Sequence, residues 1–267
     1  MSVIAPALGY ALLLWWASTG LILWIGRKGE GVIHFSMGAA SAFLFVAVWG
    51  VVWSADRSGP GAMYAGFASA LMIWGWHEMI FLFGYLTGSR RTPCPPGVRG
   101  WTRFRLAAQT VMRHEVALAL NLVILVAMVW GQENPIAACT FGVLWAMRLS
   151  AKLNIFFGVA QFSDEFLPKN LIYLRSYFGE ARGNAFYPFA LGGAVFVAAL
   201  IWSAAGDSAL AVGERTGWAL LGGLLSLAIV EHVFLVVPIQ DTKLWRWILP
   251  ADPGAAHPPC STGDRSN

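Results

Sequence analysis

The chain has 267 residues, 57% of them hydrophobic and only 12% charged, against about 25% charged in an average soluble protein. With a mean hydropathy of +0.60, it lacks the polar surface that a soluble core of this size needs, which excludes a soluble enzyme and implies an integral membrane protein. Cys94, Cys139 and Cys260 are far apart and form no CxxC, so neither a disulfide scaffold nor a cysteine zinc or redox motif is present.

Crossing ~30 Å of hydrocarbon takes about 20 apolar residues. Seven stretches qualify, at 4–25, 32–53, 61–86, 106–130, 135–160, 185–205 and 217–237. They are too long for strands and lack period-two alternation, which predicts helices and an all-α, polytopic membrane bundle. The first stretch has no basic lead and no small-residue cleavage site, so it reads as an anchor rather than a removed signal. It stops at Gly26-Arg27-Lys28-Gly29. The second carries His34 near its start, a position that suits the interface, and ends at Ser54-Ala55-Asp56-Arg57. The third holds Trp74, Trp76 and the pair His77-Glu78, and runs into a loop stiffened by Pro93, Pro95 and Pro96. That loop carries Arg90, Arg91, Arg99, Arg103 and Arg105, and reads either as a rigid basic surface presenting Cys94 or its arginines to a partner, or as an ordinary interfacial turn.

The fourth stretch contains Arg113 and the pair His114-Glu115, and the fifth contains Arg148 and Lys152, four apart on one helix face. In the long connection that follows, Ser163-Asp164-Glu165 precede a run at 170–178 that suits an interfacial amphipathic helix. The seventh stretch carries Glu231-His232. Residues 1–250 read as one transmembrane domain, and 251–267, with His257, as a flexible cytoplasmic tail.

Lys and Arg set the expected orientation. The amino terminus and the second, fourth and sixth connections hold only Arg57 and Arg215, whereas the opposite side and the tail hold thirteen basic residues. This predicts a periplasmic amino terminus and a cytoplasmic carboxyl terminus. The pI near 9.1 is then a consequence of topology, and membrane lipids rather than nucleic acid are the expected surroundings. No internal repeat of motifs is visible, which speaks against an inverted-repeat transporter.

Three histidines sit beside a glutamate inside apolar stretches, where ionisable groups are costly and raise a functional question by default. His77 is ten residues from Thr87, His114 nine from Arg105 and His232 nine from Asp241. At 1.5 Å per residue each pair is expected about 14–15 Å from the cytoplasmic boundary, in one layer. Adjacent residues point about 100° apart, so one member of each pair faces a site while the other supports it. Three readings stay open. They are a buried polar network, a mononuclear metal or tetrapyrrole site, and a proton or ion path. The metal reading uses His77, Glu78, His114, Glu115, Glu231 and His232. A flat conjugated ligand such as a chlorin would use the three imidazoles and the Trp74 wall, three residues before His77. Arg148 and Lys152, with Arg113, offset the three carboxylates and argue against a dinuclear centre unless Arg113 and Lys152 snorkel away.

Trp74-Gly75-Trp76-His77-Glu78-Met79, Arg90-Arg91-Thr92-Pro93-Cys94-Pro95-Pro96-Gly97, Arg148-Leu149-Ser150-Ala151-Lys152-Leu153-Asn154 and Glu165-Phe166-Leu167-Pro168 resemble the PuhE-type putative photosynthetic complex assembly proteins over roughly 4–250. The resemblance implies a bacterial inner (cytoplasmic or intracytoplasmic) membrane protein of anoxygenic phototrophs, whose genes accompany that of the reaction-centre H subunit. The implied role is assembly of the reaction-centre and light-harvesting complex, or adjustment of bacteriochlorophyll supply. The implied partners are its subunits or pigment-synthesis enzymes, and no catalytic residue carries over. The competing expectation is a membrane metal oxidoreductase acting on a pigment precursor or quinone.

Overall fold

A computed structural model describes residues 3–161, 167–179 and 184–237. The described residues form seven long α-helices and one 3₁₀ segment, with no strand. The helices are α1 (Ile4–Ile25), α2 (Glu30–Ala55), α3 (Pro60–Leu82), α4 (Gly100–Val129), α5 (Ile136–Phe157), α6 (Phe186–Gly206) and α7 (Val212–Phe234), with the 3₁₀ segment Lys169–Tyr177 between α5 and α6. Six of them are long and apolar enough to cross a membrane, and α3 is the exception. The tail 251–267, with His257, and the residues Ser163, Asp164 and Glu165 lie outside the described residues.

The reason α3 differs is its position. It is buried along its length, from Ala62 to Phe81, and packs against α1, α2, α5 and α7. A helix walled in by others need not be apolar on every face, so it can carry His77 and Glu78. Two apolar clusters meet on it. Phe67 joins Leu220 and Leu224 of α7 and Ile201 of α6 on one side. Ile73 joins Val51 of α2, Leu118 of α4 and Phe141 of α5 on the other. Small residues set the closest approaches, as usual where helices pack without a hydrophobic gradient. A Cβ on Gly66 would lie 2.6 Å from Ile136 Cγ2. Around the outside, Phe45, Trp49, Val123, Phe189 and Phe196 are exposed, an apolar belt that a hydrocarbon solvent tolerates and water does not.

Polar ties fix the helix ends. Asn134 donates from Nδ2 to the Ser54 carbonyl (3.1 Å) and accepts from the Ile136 amide (3.1 Å), joining the end of α2 to the start of α5. Asn184 donates to Asn154 Oδ1 (2.9 Å) and accepts the Phe186 amide (3.0 Å), joining the end of α5 to the start of α6.

The end of the bundle bearing the α1–α2, α3–α4 and α5–α6 connections, here called the basic end, departs from the sequence expectation in two ways. First, α3 stops at Leu82 rather than near residue 86. The chain turns at Gly84, whose φ of 81° favours glycine, and the loop then lies directly on α4. The His114 amide donates to the Thr87 carbonyl (2.9 Å) and the Arg90 amide to the Gln109 carbonyl (3.2 Å). The contact is so close that a Cβ on Gly88 would lie 1.9 Å from the Gln109 oxygen. His77 therefore sits five residues from the end of its helix.

Second, the run expected as a surface amphipathic helix is folded inward as the 3₁₀ segment. Leu171 is 1% and Tyr177 3% exposed, and Leu171, Tyr173 and Leu174 pack on Phe81. The arginine-rich loop closes over it. Arg90 Nε donates to the Tyr177 hydroxyl (2.6 Å), and Arg103 donates to the Tyr177 and Phe178 carbonyls (2.8 and 2.9 Å). Arg91 donates to the Gly84 carbonyl (3.3 Å), so three of the five arginines are engaged within the protein, and the Cys94 amide is held by Ser176 Oγ at 2.8 Å.

Candidate functional site

Beneath this cover, α1, α3, α4, α5 and α7 line a partly open cavity of 1120 Å³, above the ~300–1,000 Å³ usual for a small-molecule site. Its lining comes from 15–23 of α1, 71–82 of α3, 104–115 of α4, 143–156 of α5 and 224–234 of α7, with Leu235 just beyond. These are the halves of the five helices nearest the basic end. Leu167, Leu171 and Leu174 line it from the 3₁₀ side.

All three glutamates of the histidine–glutamate pairs line this cavity, together with Arg148 and Lys152. Glu78 accepts from Arg148 (3.1 Å). Glu115 accepts from Lys152 Nζ (2.5 Å) and from the Trp145 indole N–H (3.0 Å). The Trp15 indole donates to Glu231, which lies within electrostatic reach of Arg148. The four-residue spacing of Arg148 and Lys152 turns both cations to the same wall, so each meets a carboxylate from a different helix. The Glu115 and Glu78 side chains are only 15% and 11% exposed, while Arg148 keeps 43% of its side chain accessible, facing the cavity.

The histidines take the other direction, as the 100° offset between neighbours requires. His77 and His114 are 6% and 0% exposed. His77 packs edge-on against Phe141 (ring centroids 6.0 Å apart), and His114 lies against Phe81 (4.6 Å). Phe81 carries Lys152 Nζ at 5.1 Å from its ring centroid, so one aromatic ring is held between an imidazole and a cation. The nearest approach of a histidine to a carboxylate is His114 Nε2 to Glu78 Oε1, at 3.9 Å. His232 does reach the cavity wall, with both ring nitrogens engaged. Nδ1 is 2.9 Å from the Ala228 carbonyl and Nε2 is 3.0 Å from Ser150 Oγ. A carbonyl only accepts, so Nδ1 carries the proton and Nε2 accepts from the serine hydroxyl. This pins α7 to α5.

The expected metal set does not converge. Among the described residues no three His, Cys, Asp or Glu side chains are placed to hold one metal ion, and His77, Glu78, His114, Glu115, Glu231 and His232 divide between cavity wall and helix packing. Nor do the residues present fit an imidazole ligand to a chlorin magnesium. His77 and His114 are not part of the cavity wall, and both nitrogens of His232 are already used. Trp74 does line the cavity, edge-on to Phe141 at 5.4 Å. The charge balance changes as well. Arg113 is exposed and makes no ion pair with a described residue, which leaves two cations against three carboxylates.

Trp15 and Ser150 are the site residues that sequence reasoning missed. Trp15 lies ten residues before the end of α1 at Ile25. A buried indole N–H needs an acceptor, and that was the available signal. Ser150 had none, since serine in a membrane helix commonly bonds its own backbone.

Comparison with known proteins places the chain. The family described as "Protein of unknown function (DUF3623)" matches residues 1–256, and the chain belongs to it. The chain is similar to a protein of Rhodobacter capsulatus named "Uncharacterized 30.4 kDa protein in puhA 5'region", at 36% identity over 244 residues, covering 90% of this chain and 89% of that protein. No solved structure matches.

Proposed function

We propose that this DUF3623 member serves the assembly of the photosynthetic reaction-centre and light-harvesting complex, or the supply of bacteriochlorophyll to it, without catalysing a reaction itself. The observation that carries the reading is the relative from R. capsulatus, whose name puts it in the 5′ region of puhA and which matches along nearly the whole chain. Membrane-spanning helices with an apolar exterior agree with a function exercised within a bilayer. In this reading α3 is the seventh span, buried by its neighbours rather than facing lipid. The basic end lies in the cytoplasm with the tail 251–267, and the membrane is the bacterial inner or intracytoplasmic one. The arginines of the α3–α4 loop that are not turned inward meet complex subunits or pigment-synthesis enzymes.

Deleting the gene in its native phototrophic host tests this. The expected result is an altered content of reaction-centre and light-harvesting absorption in isolated membranes, restored by the wild-type gene supplied elsewhere. Unchanged spectra under phototrophic and semi-aerobic growth would overturn it. The competing metal oxidoreductase has no ligand cluster behind it among the described residues.

A further inference from the structure

The cavity has a chemistry that stands apart from the assembly reading. Its walls are mostly leucine, isoleucine, alanine and aromatic side chains, and its charged groups are Glu78, Glu115, Arg148, Lys152 and Glu231. Lys152 is committed to Glu115, which Trp145 also holds. Arg148 has five N–H donors in a fixed fork. The structure engages one of its nitrogens with Glu78, while 43% of the side chain stays accessible. Donors are thus in surplus at Arg148, on a wall whose lining is otherwise mostly apolar. Glu231 stands beside them, held by Trp15.

From this geometry we infer that the cavity is a binding site for a large neutral amphiphile whose polar head bears carbonyl oxygens, taken by Arg148, with its hydrocarbon body along α1, α5 and α7. Charge selects the head. Glu78 and Glu115 already hold Arg148 and Lys152, so an anionic head would have to compete with a carboxylate for either cation. A cationic head would meet Arg148 and Lys152 beside Glu231. A neutral acceptor fills the free donors of Arg148 without disturbing either ion pair. Size selects the body, because 1120 Å³ exceeds what a compact metabolite fills. Quinones and long-chain esters share this chemistry, and neither needs a metal or an imidazole ligand.

The test uses the full-length protein in one fixed detergent, reading the midpoint of thermal unfolding against probe concentration, since a ligand that binds only the folded state raises it. A decyl-chain benzoquinone and dioctanoylglycerol are the neutral probes, and separate a ring-borne from an ester carbonyl. Dodecyl phosphate and dodecylamine are the charged ones. The expected result is a saturable rise with at least one neutral probe, weakened roughly tenfold to a hundredfold in Arg148→Gln, as for a lost hydrogen bond to a charged group. Gly75→Leu is the variant independent of the ion pairs. Gly75 lines the cavity, and a Cβ there meets only Ile22 Cδ1, at 3.8 Å. The new side chain should therefore occupy the site and abolish the response. Three results would overturn the inference: no neutral probe acting, a Gly75→Leu protein that responds like wild type, or dodecylamine or dodecyl phosphate acting more strongly than both neutral probes.

Discussion

Replacing Lys152 by methionine keeps the length of the side chain and removes its charge. Glu115 then stays in a wall where its side chain is 15% exposed, with only the Trp145 indole as donor. Breaking one side of a fully buried pair costs about 3–5 kcal/mol. The Lys152 side chain keeps 21% of its surface towards the cavity, so the low end of that range, about 3 kcal/mol, is the expectation. For a bundle of this size one kcal/mol moves the unfolding midpoint by about 2–4 °C, and Lys152→Met should unfold about 6–12 °C below wild type. In Lys152→Met/Glu115→Leu the stranded charge is gone, and much of the loss should be recovered, because an apolar pair often replaces a buried ion pair at little cost. A double-mutant cycle read by thermal unfolding in constant detergent checks both. Single losses that add in the double variant, or a Lys152→Met midpoint within about 2 °C of wild type, would show that the pair is solvated and that these carboxylates do not form a low-dielectric site.

Arg113 faces outward, so Arg113→Gln should shift the same midpoint by less than about 0.5 kcal/mol equivalent, whereas Arg148→Gln, which strands Glu78, should cost several times more. Ser150→Ala should lose about 1–2 kcal/mol for its hydrogen bond to His232, and His232→Phe somewhat more because the Nδ1 bond to the Ala228 carbonyl goes too, with the double variant little worse than His232→Phe alone. Gly88→Ala should destabilise by more than about 1 kcal/mol, because the added Cβ meets the α4 backbone at Gln109; an unchanged midpoint would show the loop lying off the helix. Orientation is tested by single cysteines in a chain freed of its native ones. A cysteine at Ser208, in the exposed α6–α7 connection, should react with a membrane-impermeant maleimide in intact cells. One at Arg91 should react only after the membrane is opened.

Length and apolarity made the helices legible in the sequence. The expected 4–25 coincides with α1, and four of the other stretches fall within four residues of their helices. The fourth stretch begins six residues after α4 does and the seventh five after α7 does, because both helices open with polar turns, Arg103 and Arg105 in α4. The first turn of α7 is the clearer case. It carries Glu214, whose carboxylate accepts the Ala211 amide (3.3 Å), and Arg215. Burial against other helices was less legible than length. Nothing in the stretch 61–86 reveals that α3 ends at Leu82, since the residues after it, Phe83 to Leu86, are as apolar as those before. The helix ends there because the chain turns at Gly84, with its φ of 81°, and lays the following loop on α4, which is a tertiary fact. The run 170–178 deceived for the same reason. Amphipathic composition fits an interfacial helix and an inward-folded cover equally well, and only the partner side chains, Phe81 and Val111, decide.

The pairing of histidine with glutamate was legible as an anomaly but not as a division of labour. Spacing placed three pairs in one layer, and chemistry suggested convergence of the imidazoles, since imidazole is the commoner metal ligand. The fold turns the pairs the other way. Each glutamate faces the cavity, and each histidine packs against helix neighbours or, for His232, ties α7 to α5. One physical ground favours this choice. A neutral imidazole is cheaper to bury among aromatic rings than a carboxylate is. The carboxylates therefore go where cations and indole donors from other helices can reach them, on the wall of the cavity. A sequence shows which residues are adjacent and at what angle. Which of two adjacent polar residues faces inward depends on where Arg148, Lys152, Trp15 and Trp145 arrive from other helices, and that is settled by packing.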